Sequence, residues 1–258
     1  NISKDLILVG APEEDAVAED SGSTYLYTKT TSGNWIEINK FTPTDLALRN
    51  EFGSAVALVG NEVITGSSSA STETSDGEES LRIYNLEQEI GERVPTQKLF
   101  NQLGNYADRF GRGLSTSGTS ILVGAAYEEG TGPNMNNVGK AYLYELSEDQ
   151  QIWEVTSVFE PSDGSAQDNF GQSLHLDLGL EVKRVAIASP YSETEDDVNF
   201  NSGSVFIYEY DDSISSWIER SQFYPEDVSR KDYFGGNATF GNGMTQNYFF
   251  SSSKGDDD

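Results

Sequence analysis

The 258 residues carry 43 acidic against 16 basic side chains, a formal net charge of -27 that repels phosphate backbones and anionic lipid surfaces, so nucleic acid and membrane-surface binding are set aside. Cysteine is absent, which excludes a disulfide framework, thiolate-bound zinc and thiol nucleophiles, and no run of about 18 apolar residues offers a membrane-spanning helix. With 36% hydrophobic and 11% aromatic residues the chain has material for a core, and it is not a disordered tail.

Taken in chain order, the elements repeat. The chain opens on Asn1 without a signal-peptide pattern and reads as a processed product or an excerpt. An apolar strand at residues 5–9 runs into Gly10-Ala11-Pro12, a second at 23–27 ends in Tyr27, and a third is marked by Trp35-Ile36-Glu37. Phe52-Gly53 then begins a fresh set: a strand after the pair, a strand at 62–65 into Gly66, one at 80–84 ending in Tyr84, and one at Glu92-Arg93-Val94 with no Trp. Phe110-Gly111 opens the third set, with strands at 120–123 into Gly124, at 140–144 ending in Tyr144, and at Trp153-Glu154-Val155. Phe170-Gly171 opens the fourth, with a longer turn before residues 184–187, a strand at 204–208 ending in Tyr208, and Trp217-Ile218-Glu219. Phe234-Gly235 starts a fifth. A polar residue stands two places before each Phe (Asn50, Asp108, Asp168, Asp232), a side chain suited to open a turn by bonding nearby backbone.

Alternating aromatic and β-branched residues predict strands, four short ones per repeat, with no helical period long enough for a crossover. The expected fold is all-β: a β-propeller of four-stranded antiparallel blades, about four to five of them present. The repeat units are residues 1–51 (partial, entering at a second strand), 52–109, 110–169, 170–233 and 234–258 (partial), in one propeller region over 1–258. Phe52, Phe110, Phe170 and Phe234 are read as core between neighbouring sheets, and Gly53, Gly111, Gly171 and Gly235 as places where backbones approach.

Phe-Gly, an apolar strand into Gly-Ala-Pro, then Ser-x-Tyr-Leu-Tyr and Trp, together resemble the FG-GAP repeat of integrin α-subunit head propellers and related extracellular proteins. Only Gly10-Ala11-Pro12 keeps the full triplet; Gly66-Ser67-Ser68, Gly124-Ala125-Ala126 and Ala188-Ser189-Pro190 depart from it. The resemblance implies a seven-bladed ring used for recognition, on the cell surface or secreted. The chain is shorter than seven such repeats require, so the remainder is expected to lie outside it or to come from another chain, ahead of the alternative that it closes as a small ring of four or five blades.

Some propellers of this kind bind calcium in Asp-x-Asp-x-Asp-Gly turns between first and second strands. The turns here, at 59–62, 116–120, 177–181 and 241–244, lack that spacing, so no cofactor is expected. Acid gathers instead between second and third strands: Glu13, Glu14, Asp15, Glu19 and Asp20; Glu73, Asp76, Glu78 and Glu79; Glu128 and Glu129; Glu193, Glu195, Asp196 and Asp197. Equivalent loops emerge on one face of a propeller, so these form an acidic rim, either a solvated surface or a contact for a cationic partner or loosely held divalent ions. Asn1 and Asn237 head sequons that permit N-glycosylation. The single histidine, His175, lies on a strand and cannot by itself anchor a zinc site.

The function expected is non-catalytic recognition of a protein or carbohydrate partner through the loops. The alternatives are a structural subunit in a filament, coat or larger assembly, and a propeller glycoside hydrolase, which would need paired carboxylates at the ring centre.

Overall fold

Every repeat folds as a meander, because short strands joined by turns pair with their sequence neighbours before any distant partner. The protein is seen in a computed structural model that describes residues 2–3, 5–46, 48–68, 79–88, 94–101, 108–131, 134–147, 149, 151–179, 182–193, 201–224, 231–242 and 247–252. The first sheet is β1 (Ile2–Ser3), β2 (Leu6–Ala11), β3 (Ser23–Lys29) and β4 (Trp35–Phe41). The second is β5 (Phe52–Val59), β6 (Glu62–Ser67), β7 (Ser80–Asn85) and β8 (Gln97–Leu99). The third is β9 (Phe110–Ser117), β10 (Ser120–Ala125), β11 (Lys140–Leu146) and β12 (Trp153–Phe159). The fourth is β13 (Ser173–Asp177), β14 (Arg184–Ser189), β15 (Ser204–Asp211) and β16 (Ser216–Phe223), and a hairpin of β17 (Asn237–Asn242) and β18 (Asn247–Ser252) follows. Among the described residues there is no helix. The chain is an all-β β-propeller of four-stranded antiparallel blades.

Three boundaries differ from the sequence reading. The first sheet includes a two-residue first strand, Ile2–Ser3, paired with Leu6 and Ile7. The fourth strand of the second blade is Gln97–Leu99, and Val94 lies outside any strand; Pro95, with no N–H to give to a ladder, stands between the two. β13 and β17 begin three residues after the Phe of their Phe-Gly pairs, and Phe170 makes only an isolated bridge to Gly139.

The residues gather into two compact units, 1–112 with 147–153, and 113–146 with 154–258. In the first, Leu8, Leu26 and Phe41 of one sheet close against Phe52, Val63 and Tyr84 of the next. In the second, Leu122, Leu143 and Phe159 close against Phe170, Leu174, Ile187 and Phe206. Along β10 and the start of β15 every residue is buried, and strict alternation disappears. The outermost strands keep an exposed face.

Phe52, Phe110 and Phe170 are fully buried, and each such ring contributes roughly 1.5–3 kcal/mol of apolar burial. Each Phe-Gly pair is also tied to the loop before the third strand of the preceding sheet. The residue before the Phe donates its N–H to Asp20 O, Asn137 O and Asn201 O in three copies, and Phe52, Phe170 and Phe234 donate to Ser21 O, Val138 O and Ser202 O. Gly22, Gly139 and Gly203 complete those loops with φ of 86°, 90° and 86°, and a Cβ on any of them would overlap the carbonyl oxygen of the following Phe. The Phe-Gly glycines are left-handed as well, with φ between 91° and 98°.

Candidate functional site

The acidic loops do not present their carboxylates alike. Glu14 and Glu128 occupy one repeat position, four residues after Gly10 and Gly124, and both turn inward. Tyr25 donates its hydroxyl to Glu14 at 2.7 Å and Tyr142 donates to Glu128 at 2.6 Å. Lys40 pairs with Glu14, whose pKa its hydrogen bond lowers against the opposing effect of burial; Lys140 pairs with Glu128 at 2.9 Å and with Glu160 at 3.1 Å. Ser192 stands at the same position in the fourth repeat and bonds Ser204 at 2.8 Å. Glu13, Asp15, Glu19 and Glu129 are exposed, while Asp20 and Glu193 are partly covered. Asp15 accepts the Asp20 N–H at 2.9 Å, and Arg49 lies 3.4 Å from Glu19. Glu73, Asp76, Glu78, Glu195, Asp196, Asp197 and Asn1 lie outside the described residues.

Glu79 belongs to a different environment. It stands immediately before β7, where the other three repeats have Gly22, Gly139 and Gly203, and it is 8% exposed. Its Oε2 accepts the Phe110 N–H at 3.0 Å, supplying by side chain the acceptor that the other junctions take from backbone. Its Oε1 is buried without a hydrogen-bond partner among the described residues. Burial pushes the Glu79 pKa up to about 8, and the neighbouring Asp108 adds like-charge repulsion. Asn50, Asp108, Asp168 and Asp232, the turn openers, are all buried, and Asp168 accepts the Ser165 N–H at 2.7 Å while burial raises its pKa to about 6.

His175 sits half-buried on β13, where burial lowers its pKa and Asp177 partly opposes the change. Among the described residues no three His, Asp or Glu side chains gather in a way that could hold a metal ion. Asn237 opens β17 and is exposed.

A chemically varied concavity lies in the second unit, beside the turn that lengthens the fourth repeat. It has a volume of about 270 Å³ and is lined by Glu145 of β11, Thr156 and Ser157 of β12, Lys183, Tyr210 and Trp217. Tyr210 and Trp217 are cross-strand partners on β15 and β16, and their rings meet edge to face at 5.4 Å. Phe159 backs Trp217 at 5.5 Å, fixing the indole from behind. The Lys183 ammonium lies 4.5 Å from the Tyr210 ring centroid, while the Lys183 carbonyl accepts the Tyr210 N–H at 3.1 Å. An aromatic corner, its two rings inclined at 68° and one of them carrying the Lys183 ammonium, thus shares the concavity with hydroxyls and a carboxylate. The sequence marks Trp217 as a strand residue only; the one hint of the rest is the longer turn that brings Lys183 alongside.

Comparison with known proteins follows the same lines. The FG-GAP repeat model matches residues 95–144, which run from the approach to β8 to the end of the Tyr-bearing part of β11. No curated protein matches the sequence. Among solved structures, a candidate 6-phosphogluconolactonase from Bacteroides uniformis superposes with a TM-score of 0.56 at 14% identity, covering 97% of this chain. The chain spans 61% of the length of that protein. That likeness is one of fold.

Proposed function

We propose, taking as premise a chain that fits an FG-GAP-type β-propeller, that it is a non-catalytic recognition module, secreted or displayed at the cell surface, that binds a carbohydrate-bearing partner. The observation that carries this reading is the concavity at Trp217. Sugar rings present apolar C–H faces and hydroxyl edges together, and Trp217 and Tyr210 offer aromatic surface beside Thr156, Ser157, Glu145 and Lys183. The rigid backing by Phe159 and the ladder pairing of Tyr210 with Trp217 hold the aromatic wall in place before a ligand arrives, which lowers the ordering cost of binding.

A glycan array with the chain as probe tests the proposal. Binding to a restricted set of glycans is expected, and Trp217→Ala should weaken it by about 1–3 kcal/mol without unfolding the protein. An array without signal, or signal untouched by Trp217→Ala, overturns the carbohydrate reading. Hydrolysis of 6-phosphogluconolactone by the chain would overturn the non-catalytic one; the formal charge of -27 opposes capture of such an anion.

A further inference from the structure

Neighbouring sheets meet at seams whose two sides follow from the ladder register. In the first unit Leu8, Leu26 and Phe41 close on Phe52, Val63 and Tyr84. Thr24 stands two residues before Leu26 on β3, and the pairs Thr65–Arg82 and Ser67–Ser80 follow Val63–Tyr84 along the β6–β7 ladder, so the period of two points all of them into this seam. At the corresponding seam of the second unit, Thr24, Thr65, Ser67, Ser80, Arg82 and Tyr84 are matched in that order by Ala141, Ile187, Ser189, Ser204, Phe206 and Tyr208.

The polar atoms of the two seams fare differently. In the second unit Ala141, Ile187 and Phe206 are apolar and the other three are bonded: Ser189 donates to Asp168 O at 3.0 Å, Ser204 accepts from Ser192 at 2.8 Å, and Tyr208 donates to Glu160 O at 2.9 Å. In the first unit Thr24 Oγ1, Thr65 Oγ1, Ser67 Oγ, Ser80 Oγ, Arg82 Nε and the Tyr84 hydroxyl are all buried without a hydrogen-bond partner among the described residues. Removing a polar group from water without giving it a partner is unfavourable, and parting the two sheets returns all six to water. A single carboxylate works against parting. Asp45, on the loop after β4, accepts from Arg82 Nη1 and from Lys98 Nζ, each at 2.7 Å. Against the opposing effect of burial, those bonds hold the Asp45 pKa down to about 2, so the clasp is charged at neutral pH.

We infer that the seam between the first two sheets is a built-in opening point: the first sheet parts from the second as a body, with the ladders of both intact, more readily than the matching sheets of the second unit part. Asp45 is its latch. Opening bares the Arg82 guanidinium, 3% exposed when the seam is closed, so a chain of net charge -27 displays this cation only in its open form. The Trp217 concavity lies in the second unit, and the two assignments stand or fall separately.

The chain has no cysteine, so one introduced thiol reports on one seam. Ser67→Cys and Ser189→Cys place it at matching positions, both 0% exposed, and alkylation by iodoacetamide on the whole chain reads the opening of each. Ser67→Cys should react about a hundredfold faster than Ser189→Cys, with a shallow urea dependence because only one interface is uncovered. Loss of the Ser189 hydrogen bond biases against that difference. Thr65→Val removes one orphaned oxygen and installs the residue found at Val9 and Val123; it should slow Ser67→Cys labelling about three- to tenfold and raise the melting temperature. Asp45→Asn should speed it by a similar factor, and neither change should alter Ser189→Cys. Where Ser67→Cys fails to fold, Ser80→Cys against Ser204→Cys makes the same comparison. The inference is overturned if the two thiols label within threefold of each other, if labelling at the first seam follows the urea dependence of global unfolding, or if Thr65→Val lowers the melting temperature.

Discussion

At three junctions a left-handed glycine lets the backbone close on the next Phe-Gly pair, and the Phe N–H reaches a carbonyl of the preceding loop. At the fourth, Glu79 replaces the glycine and hands its own carboxylate to Phe110. The two solutions satisfy an equivalent buried donor, yet only one of them responds to pH. A peptide carbonyl has no proton to gain or lose, whereas a carboxyl held near pKa 8 by burial makes its junction sensitive to pH. One repeat has thus exchanged a conformational requirement for an electrostatic one.

The largest expected effect comes from forcing the second solution onto the first. Gly139→Glu places a side chain where a Cβ already overlaps Phe170 O, at a φ of 90°, and should cost more than about 3 kcal/mol, read as loss of soluble protein or a collapsed urea midpoint. A variant that folds normally would show the junctions to be interchangeable and end the distinction.

The reverse probe is smaller. At pH 5, where the Glu79 carboxyl is neutral, Glu79→Ala should cost about 1–3 kcal/mol because the Phe110 N–H is left without an acceptor. Glu79→Gln, which keeps an oxygen in place, should match the parent there. Stability measured against pH sharpens the contrast further. The folded-state pKa of Glu79 lies above its ordinary value of 4.5, so the folded chain holds that proton more tightly. Its contribution is complete below about pH 4.5 and is lost as pH rises through about 8, and Asp168 adds a decline of the same sign between its ordinary 3.8 and about 6. Urea midpoints should therefore fall from pH 5 to 9, and Glu79→Gln should flatten the upper part of that fall. A parent curve that stays level from 6 to 9 would remove the electrostatic account.

The smallest change expected is at Glu14, an acid of the same loop family that lies partly exposed beside Lys40. Lys40→Met should shift stability by no more than about 1 kcal/mol, less in high salt. A loss as large as that of Glu79→Ala would mean that burial does not separate the two acids.

Strands and their meander were legible in the sequence because apolar alternation and the Phe-Gly period report directly on which faces must be covered. The loop acids were not. Glu79 sits among carboxylates and reads as one more solvated charge, and only the missing glycine, seen against Gly22, Gly139 and Gly203, betrays its different duty. The left-handed residues before each Phe were equally hidden: Glu51, Arg109 and Tyr233 are not residues that advertise a positive φ, and only Asn169 does. The short β8 escaped because Glu92-Arg93-Val94 aligns with the Trp segments of the other copies, while Pro95 decides the matter locally. The Trp217 concavity draws on residues from four strands and a turn, and no linear pattern joins them.

Because the inner strands of these sheets are buried along nearly their whole length, their peptide groups are sheltered from solvent. Amide hydrogens should consequently exchange with solvent according to a strand's rank within its blade, slowest along β10 and β14 and fastest along β4 and β16, with differences between ranks exceeding those between repeats. Divergence of sequence follows the same gradient: Trp is buried in β12, half-buried in β16, exposed in β4 and missing from β8, so the outer strands are where one scaffold acquires unlike surfaces.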